Sequence, residues 1–431
     1  MIVAHAIGGR SDLPIPMPVL IVTGALVLVI TFIGLSLLWR QPRLQDGPRY
    51  QGTGAEVPVR GVLGAIGFLG LILVIGQVLV PLLGLERDGT RPTIAPVLVW
   101  VLFWLLVPFT SVVIGNWYAD LNPWRTLAGA LRVGRLERIG LPETIGLWPA
   151  SLLLVAFAWM ELVYPRPGDP TVLGVAALTY TVFLMVLMSW VGRETGLALF
   201  DFFTPYNRLF SAISPLGRNG EGRVVWRGWL RALTVVPEWP ALWVFAATII
   251  GTVSYDGAAG TDWFRAMTGS LGDTMPGQTV LLIAAVAVVG LAYLTASAVA
   301  ARFSSGRWTS LQVAQRFAHA LVPIGLAYAV SHYFTLILFE GQQLIAAVSD
   351  PFGLGWDLFG TAGYRVDFFM TSSTPIWLLQ VAFIVGGHIV GVVLAHDRSL
   401  ADFGRDAVRS QYAMLVLMIA LTSLGLLILS G

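Results

Sequence analysis

Apolar stretches of about 20 residues alternate with short polar segments along most of the chain. A helix needs about that many consecutive, mainly apolar residues to cross the hydrocarbon core of a bilayer. The pattern therefore predicts an all-α, polytopic membrane protein with ten spanning helices. Their expected bounds are 17–39, 61–83, 93–115, 146–165, 171–192, 238–255, 279–301, 313–340, 374–396 and 412–429.

No polar block between these stretches is long enough to fold alone, so we predict one helical membrane domain over residues 17–431. Residues 1–16 form a polar leader that ends in prolines, which cannot continue a helix. The leader lacks the charged start and apolar core of a signal peptide. We therefore expect it to remain on the extracytoplasmic side of the mature protein.

All 26 basic residues are arginine, and 20 of them fall in loops on one side of the predicted spans. Because cytoplasmic loops of membrane proteins carry the excess of basic residues, this side is predicted to be cytoplasmic and both termini extracytoplasmic. The two long loops on that side, 116–138 and 193–239, mix Trp, Leu and Arg. Such a mixture favours short helices lying at the membrane interface, with Trp and Arg as anchors.

Composition supports the same class, since the mean hydropathy is +0.77 and only 12% of residues are charged. The absence of cysteine excludes disulfides, thiolate metal sites and cysteine nucleophiles, and leaves His, carboxylates and hydroxyls for chemistry. The net charge of +2 is explained by loops beside a lipid bilayer, so we expect no nucleic-acid partner. Motifs for phosphate loops, serine hydrolases, zinc proteases and EF-hands are missing from the sequence.

Histidines inside the predicted spans are the main candidates for function, because ionisable groups are costly in a bilayer. His332 lies about 12 Å, and His388 about 21 Å, below the extracytoplasmic ends of neighbouring predicted spans. Tyr328 lies one helical turn from His332 on the same face. Glu340 and Glu161, near the outer ends of their spans, are further acidic candidates.

These residues suggest a divalent metal site, with His332 and His388 as ligands and His5, Asp12 or Glu340 completing the shell. Two deep histidines alone would be an incomplete site, since catalytic zinc usually has three protein ligands. A single haem between His319 and His396, which match in depth, is an alternative. Unequal spacing of the histidines on the two helices, 13 and 8 residues, argues against two haems.

Three blocks, AHAIGGRSDLPIP, FAHALVPIGLAYAVSHYF and GGHIVGVVLAHDRSL, together resemble a family of polytopic bacterial membrane proteins that carry the name fenitrothion hydrolase. The family is common in actinobacteria. The resemblance implies an enzyme of the bacterial inner membrane that hydrolyses organophosphorus esters and takes a small hydrophobic substrate.

Phosphotriester hydrolysis without cysteine would most naturally use a metal ion to polarise the phosphoryl oxygen and to generate hydroxide. On this hypothesis His332 and Tyr328 are the catalytic residues, and Tyr328 polarises the phosphoryl group. Two other functions stay open: a transporter or metal-ion permease that uses the same histidines, and a haem-binding protein. The sequence does not determine the oligomeric state.

Overall fold

The computed structural model describes residues 15–56, 59–368 and 372–430. Within these residues, ten helical stretches are long and apolar enough to cross a membrane, which confirms the predicted polytopic all-α fold. The leader residues His5 and Asp12 lie outside the described part of the chain. The stretches, numbered span 1 to span 10, are Met17–Leu38, Arg60–Leu82, Ile94–Ile114, Glu143–Leu162, Pro170–Val191, Leu242–Ala259, Met275–Ser304, Ser310–Ala347, Thr374–Ser410 and Tyr412–Leu429.

Several spans are interrupted by tighter or wider turns. Span 3 contains a π-helix over Val97–Leu106, between α-helical residues Ile94–Pro96 and Val107–Ile114. Such wider helical turns are rare in proteins. Where they occur, they are often found at functional sites. Short 3₁₀ turns occupy Gly76–Val78, Glu143–Ile145, Arg302–Ser304, Ala318–Leu321, Glu340–Gln342 and Gly404–Asp406.

Spans 8 and 9 pack antiparallel in close contact. A Cβ atom on Gly387 would lie 2.6 Å from the carbonyl oxygen of Pro323, and one on Gly391 would lie 2.9 Å from that of Ala320. Small residues let membrane helices approach closely in this way. Since the spans alternate in direction, spans 1 and 10 place both ends of the described chain on one face, here called the terminal face. The opposite side, which holds most of the arginines, is the arginine-rich face.

Part of each long loop on the arginine-rich face enters the helix bundle instead of lying at the interface as predicted. The first re-entrant pair comprises helices Tyr118–Leu121 and Pro123–Ala130, and the second comprises Arg193–Phe200 and Phe203–Ser211. Trp124 of the first pair donates to Thr181 at 3.0 Å, and Tyr180 donates to Asp201, between the helices of the second pair, at 3.3 Å.

Tyr180 and Thr181 are the central residues of the 22-residue span 5, so both pairs reach about the middle of the membrane. Trp124 is only 4% exposed and is buried in protein instead of anchored in lipid. The anchor prediction was wrong for Trp124 because its side chain packs against span 5, whereas Trp226 and Trp229 of the second loop are half exposed. Irregular backbone at this depth is tolerated where it is buried in protein.

A small antiparallel sheet on the arginine-rich face was also not predicted. Strand β3 (Val224–Trp226) pairs with β1 (Gln51–Ala55) and with β2 (Leu216–Arg218). The sheet joins the loop after span 1 to the loop before span 6. The other short helices of the described chain are Arg231–Glu238, Asp262–Thr268 and Gly269–Asp273.

Candidate functional site

A polar cavity of about 710 Å³ opens at the terminal face. The loops before spans 3 and 5 form its mouth and contribute Arg87, Arg91 and Arg166. Its base lies among spans 3, 4, 6 and 8, where Trp100 of the π-helix is about 9 Å below the start of span 3. The cavity therefore reaches from the terminal face into the spanning region.

Charges at the mouth are largely paired. Arg91 contacts Asp88 at 3.2 Å, and Arg166 contacts Asp169 at 3.5 Å. Arg87 donates to Thr171 at 2.9 Å, and its pKa is lowered by burial and raised in part by Asp169. These contacts hold the arginines of the mouth in place. Their remaining N–H groups can donate hydrogen bonds to acceptor groups of a solute.

Three acids from three different spans line the inner cavity: Glu161, Asp256 and Glu340. Glu161 is 7% exposed, and neither of its carboxylate oxygens has a hydrogen-bond partner in the described chain. The Asp256 side chain is 9% exposed and interacts electrostatically with Glu161. Because an unpaired buried charge is costly, the base of the cavity is a site where a proton or a cation is expected.

His332 lies behind Asp256 and does not line the cavity. Its Nε2 atom donates to Asp256 Oδ2 at 2.9 Å, and the Tyr333 hydroxyl is also hydrogen-bonded to Asp256. A Cβ atom on Gly257 would lie at an ordinary contact distance of 3.4 Å from Nδ1 of His332 but would overlap Cγ2 of Ile428, so the glycine leaves room for span 10. His332 therefore orients the carboxylate that faces the cavity.

Tyr328 and His388 form a second, separate pair. Their ring centroids are 5.9 Å apart, and the Tyr328 hydroxyl donates to the carbonyl oxygen of Leu421 in span 10. His388 Nδ1 donates to the carbonyl oxygen of Ile384 at 2.8 Å, and its Nε2 atom has no partner in the part of the chain that is described. Neither residue lines the polar cavity.

The predicted metal ligands are thus only partly brought together. Glu340 lines the cavity and accepts a hydrogen bond from Gln343, whereas His332 is bonded to Asp256 and His388 packs on Tyr328. Among the described residues, no group of three or more His, Asp or Glu side chains is placed to hold a metal ion. The metal-ion requirement therefore stays a prediction, and the residues that fit the chemistry of the cavity are its carboxylates.

His319 and His396, the possible haem ligands, have different surroundings. His319 Nδ1 donates to the carbonyl oxygen of Arg316 at 3.0 Å, and its Nε2 atom has no partner among residues the structure describes. Both ring nitrogens of His396 already face acceptors, namely Gln411 Oε1 at 3.1 Å and the Trp39 carbonyl oxygen at 3.0 Å. Haem binding also stays a prediction, and it would require His396 to give up one of these bonds.

A buried aspartate ties the two re-entrant pairs together. Asp201 is fully buried and accepts hydrogen bonds from Thr204, Asn122, Tyr118 and Tyr180, at 2.7 to 3.3 Å. Burial raises the pKa of Asp201 to about 6, although these hydrogen bonds act in the opposite direction. This cluster fixes the tips of both pairs at the middle of the membrane.

A second cavity, of about 440 Å³, lies on the other side of span 3 and is almost entirely apolar. Its walls include Leu98 and Leu102 of the π-helix, Gly70 of span 2 and the tips of both re-entrant pairs. The two faces of the π-helix therefore line a polar cavity and an apolar crevice. The crevice has the chemistry expected for the predicted small hydrophobic substrate or for a lipid chain.

Asp256 is the main residue that sequence reasoning missed. The sixth span was predicted to end at residue 255, which placed Asp256 in an outer loop, either as part of an acidic lid over an outer vestibule or as an ordinary solvated residue, whereas the helix continues to Ala259. Glu161 was recognised only as an acidic candidate near a span end. The sequence did contain one signal for Asp256, which is an acid directly after a predicted spanning helix. Its neighbours in the cavity, Glu161 and Glu340, belong to spans that are distant in sequence, so the sequence did not show that the three acids meet.

No protein-family model matches the chain, and no significant similarity to a curated protein or to a solved structure was found.

Proposed function

We propose that the protein is a proton-coupled transporter whose terminal-face cavity binds a small polar solute. The observation that carries this proposal is the buried Glu161 carboxylate, which lies beside Asp256 and has no hydrogen-bond partner among the described residues. Ionisable groups inside membrane spans are costly, and they are typical of proton and ion pathways.

Electrostatics favours a proton as the coupling ion. Two neighbouring carboxylates in a poorly solvated site do not both ionise at low cost, because like charges repel. The arginines at the mouth already have acidic neighbours, Asp88 and Asp169. We infer that Glu161 takes up a proton when the site is empty and that solute binding changes its protonation.

The architecture supports access from one side at a time. The cavity opens at the terminal face, while the two re-entrant pairs fill the other half of the bundle. Interrupted helices and cavities near the middle of the membrane are recurring features of transporters. From the arginine bias we infer that the arginine-rich face is cytoplasmic in a bacterial inner membrane, so the cavity faces the outside.

The cavity also indicates a solute class. Its volume of about 710 Å³ suits a small molecule, with arginines at the mouth and carboxylates at the base. A solute with an acceptor group at one end and an amine or other donor at the other end would match both regions.

Proton movement in proteoliposomes that enclose a pH-sensitive dye tests this function. We expect amino acids or other small zwitterions to drive proton movement in the wild-type protein and not in Glu161→Gln. Glu194→Gln is the matched control, since Glu194 is 66% exposed and paired with Arg125 at the arginine-rich face. Solute-driven proton movement that is unchanged in Glu161→Gln would contradict the proposal.

A hydrolase of organophosphorus esters is the second candidate, and the Asp256–His332 pair favours it. A carboxylate oriented by a histidine can take a proton from an attacking water, and an arginine at the mouth can bind a phosphoryl oxygen. A divalent metal ion, if bound, would polarise that oxygen. Turnover of a chromogenic phosphotriester by the purified protein, lost in Asp256→Asn, would support this function, whereas no turnover by the wild type would contradict it.

A further inference from the structure

Tyr206 occupies the layer directly beneath the cavity. Its ring stacks on Trp104 with a centroid distance of 4.7 Å and an interplanar angle of 17°. Phe157 bridges this layer to the cavity, because it contacts Trp104 at 5.1 Å and the cavity residue Trp100 at 4.9 Å. Tyr206 belongs to the second re-entrant pair, which enters the bundle from the arginine-rich face. This pair therefore closes the base of the cavity.

The hydroxyl of Tyr206 is a buried donor without a partner in the described chain. Burial and the nearby Glu161 raise the pKa of Tyr206 well above its usual value, so the hydroxyl keeps its proton. Glu161 lies one helical turn after Phe157 in span 4, on the side of the helix that faces this aromatic layer, and its two acceptor oxygens have no partner in the described chain. Unsatisfied buried polar groups destabilise a fold, so a donor and an acceptor that both remain unpaired indicate a role in function.

We propose that Tyr206 links the ionisation of Glu161 to closure of the cavity on its arginine-rich side. When Glu161 is ionised, Tyr206 donates a hydrogen bond to it and holds the second re-entrant pair against the base. When Glu161 is protonated, this charge-assisted bond is lost and the pair is released. The inference rests on the proton-coupled function proposed above and names the element that moves.

Other charged groups around Glu161 do not supply this link. Asp256 and Glu340 are acids like Glu161, and His332 and Tyr333 are hydrogen-bonded to Asp256. The arginines and aspartates of the mouth lie on the terminal side of the cavity. Two donors of the layer beneath the cavity have no partner in the described chain, Trp104 Nε1 and the Tyr206 hydroxyl, and Tyr206 is the one that belongs to a re-entrant pair.

The absence of cysteine makes labelling of a single introduced cysteine a direct test. Ser211, at the end of the same re-entrant helix, is 2% exposed, so Ser211→Cys should react slowly with a membrane-impermeant maleimide while the pair is closed. We expect slow labelling from the arginine-rich face at alkaline pH and faster labelling at acid pH. Adding Tyr206→Phe or Glu161→Gln should make labelling fast at both pH values.

The expected increase at alkaline pH is about 10- to 100-fold, the range for loss of a hydrogen bond to a charged group. Tyr293→Phe is the matched control, because Tyr293 is buried in span 7 and donates to the carbonyl oxygen of Ala314 instead. The control should keep the pH dependence of the parent.

Two negative results have different meanings. A Tyr206→Phe variant that labels like the parent at every pH would refute the link and leave proton coupling at Glu161 standing. A Glu161→Gln variant that labels like the parent would also refute the link, and proton movement in proteoliposomes would then decide separately whether proton coupling at Glu161 stands. Thermal unfolding of each variant shows whether fast labelling reflects release of the re-entrant pair or loss of the fold.

Discussion

Replacing Glu161 with Met should abolish the function of the protein and should stabilise its fold at acid pH, where Glu161 is protonated and Tyr206 is not bonded to it. Met has a similar length and no polar atoms, so it removes a carboxylate whose two oxygens have no hydrogen-bond partner in the described chain. An unsatisfied buried polar group costs about 1 to 3 kcal/mol.

The expected change in melting temperature is small but measurable. An unfolding entropy of about 2.1 cal/mol/K per residue gives about 0.9 kcal/mol/K for a chain of 431 residues. A gain of 1 to 3 kcal/mol then raises Tm by about 1 to 3 °C. Fluorescence of the 16 tryptophans reports thermal unfolding of the detergent-solubilised protein.

Glu194→Met is the control for this measurement, because Glu194 is exposed and forms an ion pair with Arg125 at 2.9 Å. Loss of such a surface pair costs at most about 1 kcal/mol, so Tm should stay the same or fall slightly. A Tm of Glu161→Met several degrees below that of the wild type would refute the reasoning. It would mean that Glu161 has a structural partner and is not retained for function at a cost in stability.

Three further predictions concern packing, pH and metal binding. Gly67→Ala should destabilise the fold by about 1 to 3 kcal/mol, because its Cβ would overlap a carbonyl oxygen of the first re-entrant pair. Gly70→Ala should be tolerated, because the space around Gly70 is open. Thermal unfolding compares the two variants. The raised pKa of Asp201 means that its stabilising contribution is full below its usual pKa of 3.8 and is lost as the pH rises to about 6. The wild type should therefore lose about 3 kcal/mol over that range relative to Asp201→Asn, whose unfolding should lack this pH dependence. If a divalent metal is bound, elemental analysis should find it in the wild type and in neither His332→Ala nor His388→Ala, and wild-type metal content in both variants would refute these ligands.

The sequence by itself determined the ten helices of the described residues that are long and apolar enough to cross a membrane, and it placed most of their boundaries within a few residues. This was possible because the apolar length of a span is a local property set by the thickness of the bilayer. The absence of cysteine and the deep histidines could also be read directly. The sequence could not show that His332 is bonded to Asp256 and lies away from the cavity, because those residues are 76 positions apart.

Only the tertiary structure decided what the polar residues do. Loops rich in Trp and Arg read as interface anchors, yet packing of Trp124 on span 5 draws one of them to the middle of the membrane. Glu161, Asp256 and Glu340 come from three spans and line one cavity, and Tyr206, from a re-entrant helix, lies in the aromatic layer beneath it. The length of an apolar stretch is set by consecutive residues, whereas a site built from side chains of distant segments depends on how the helices pack.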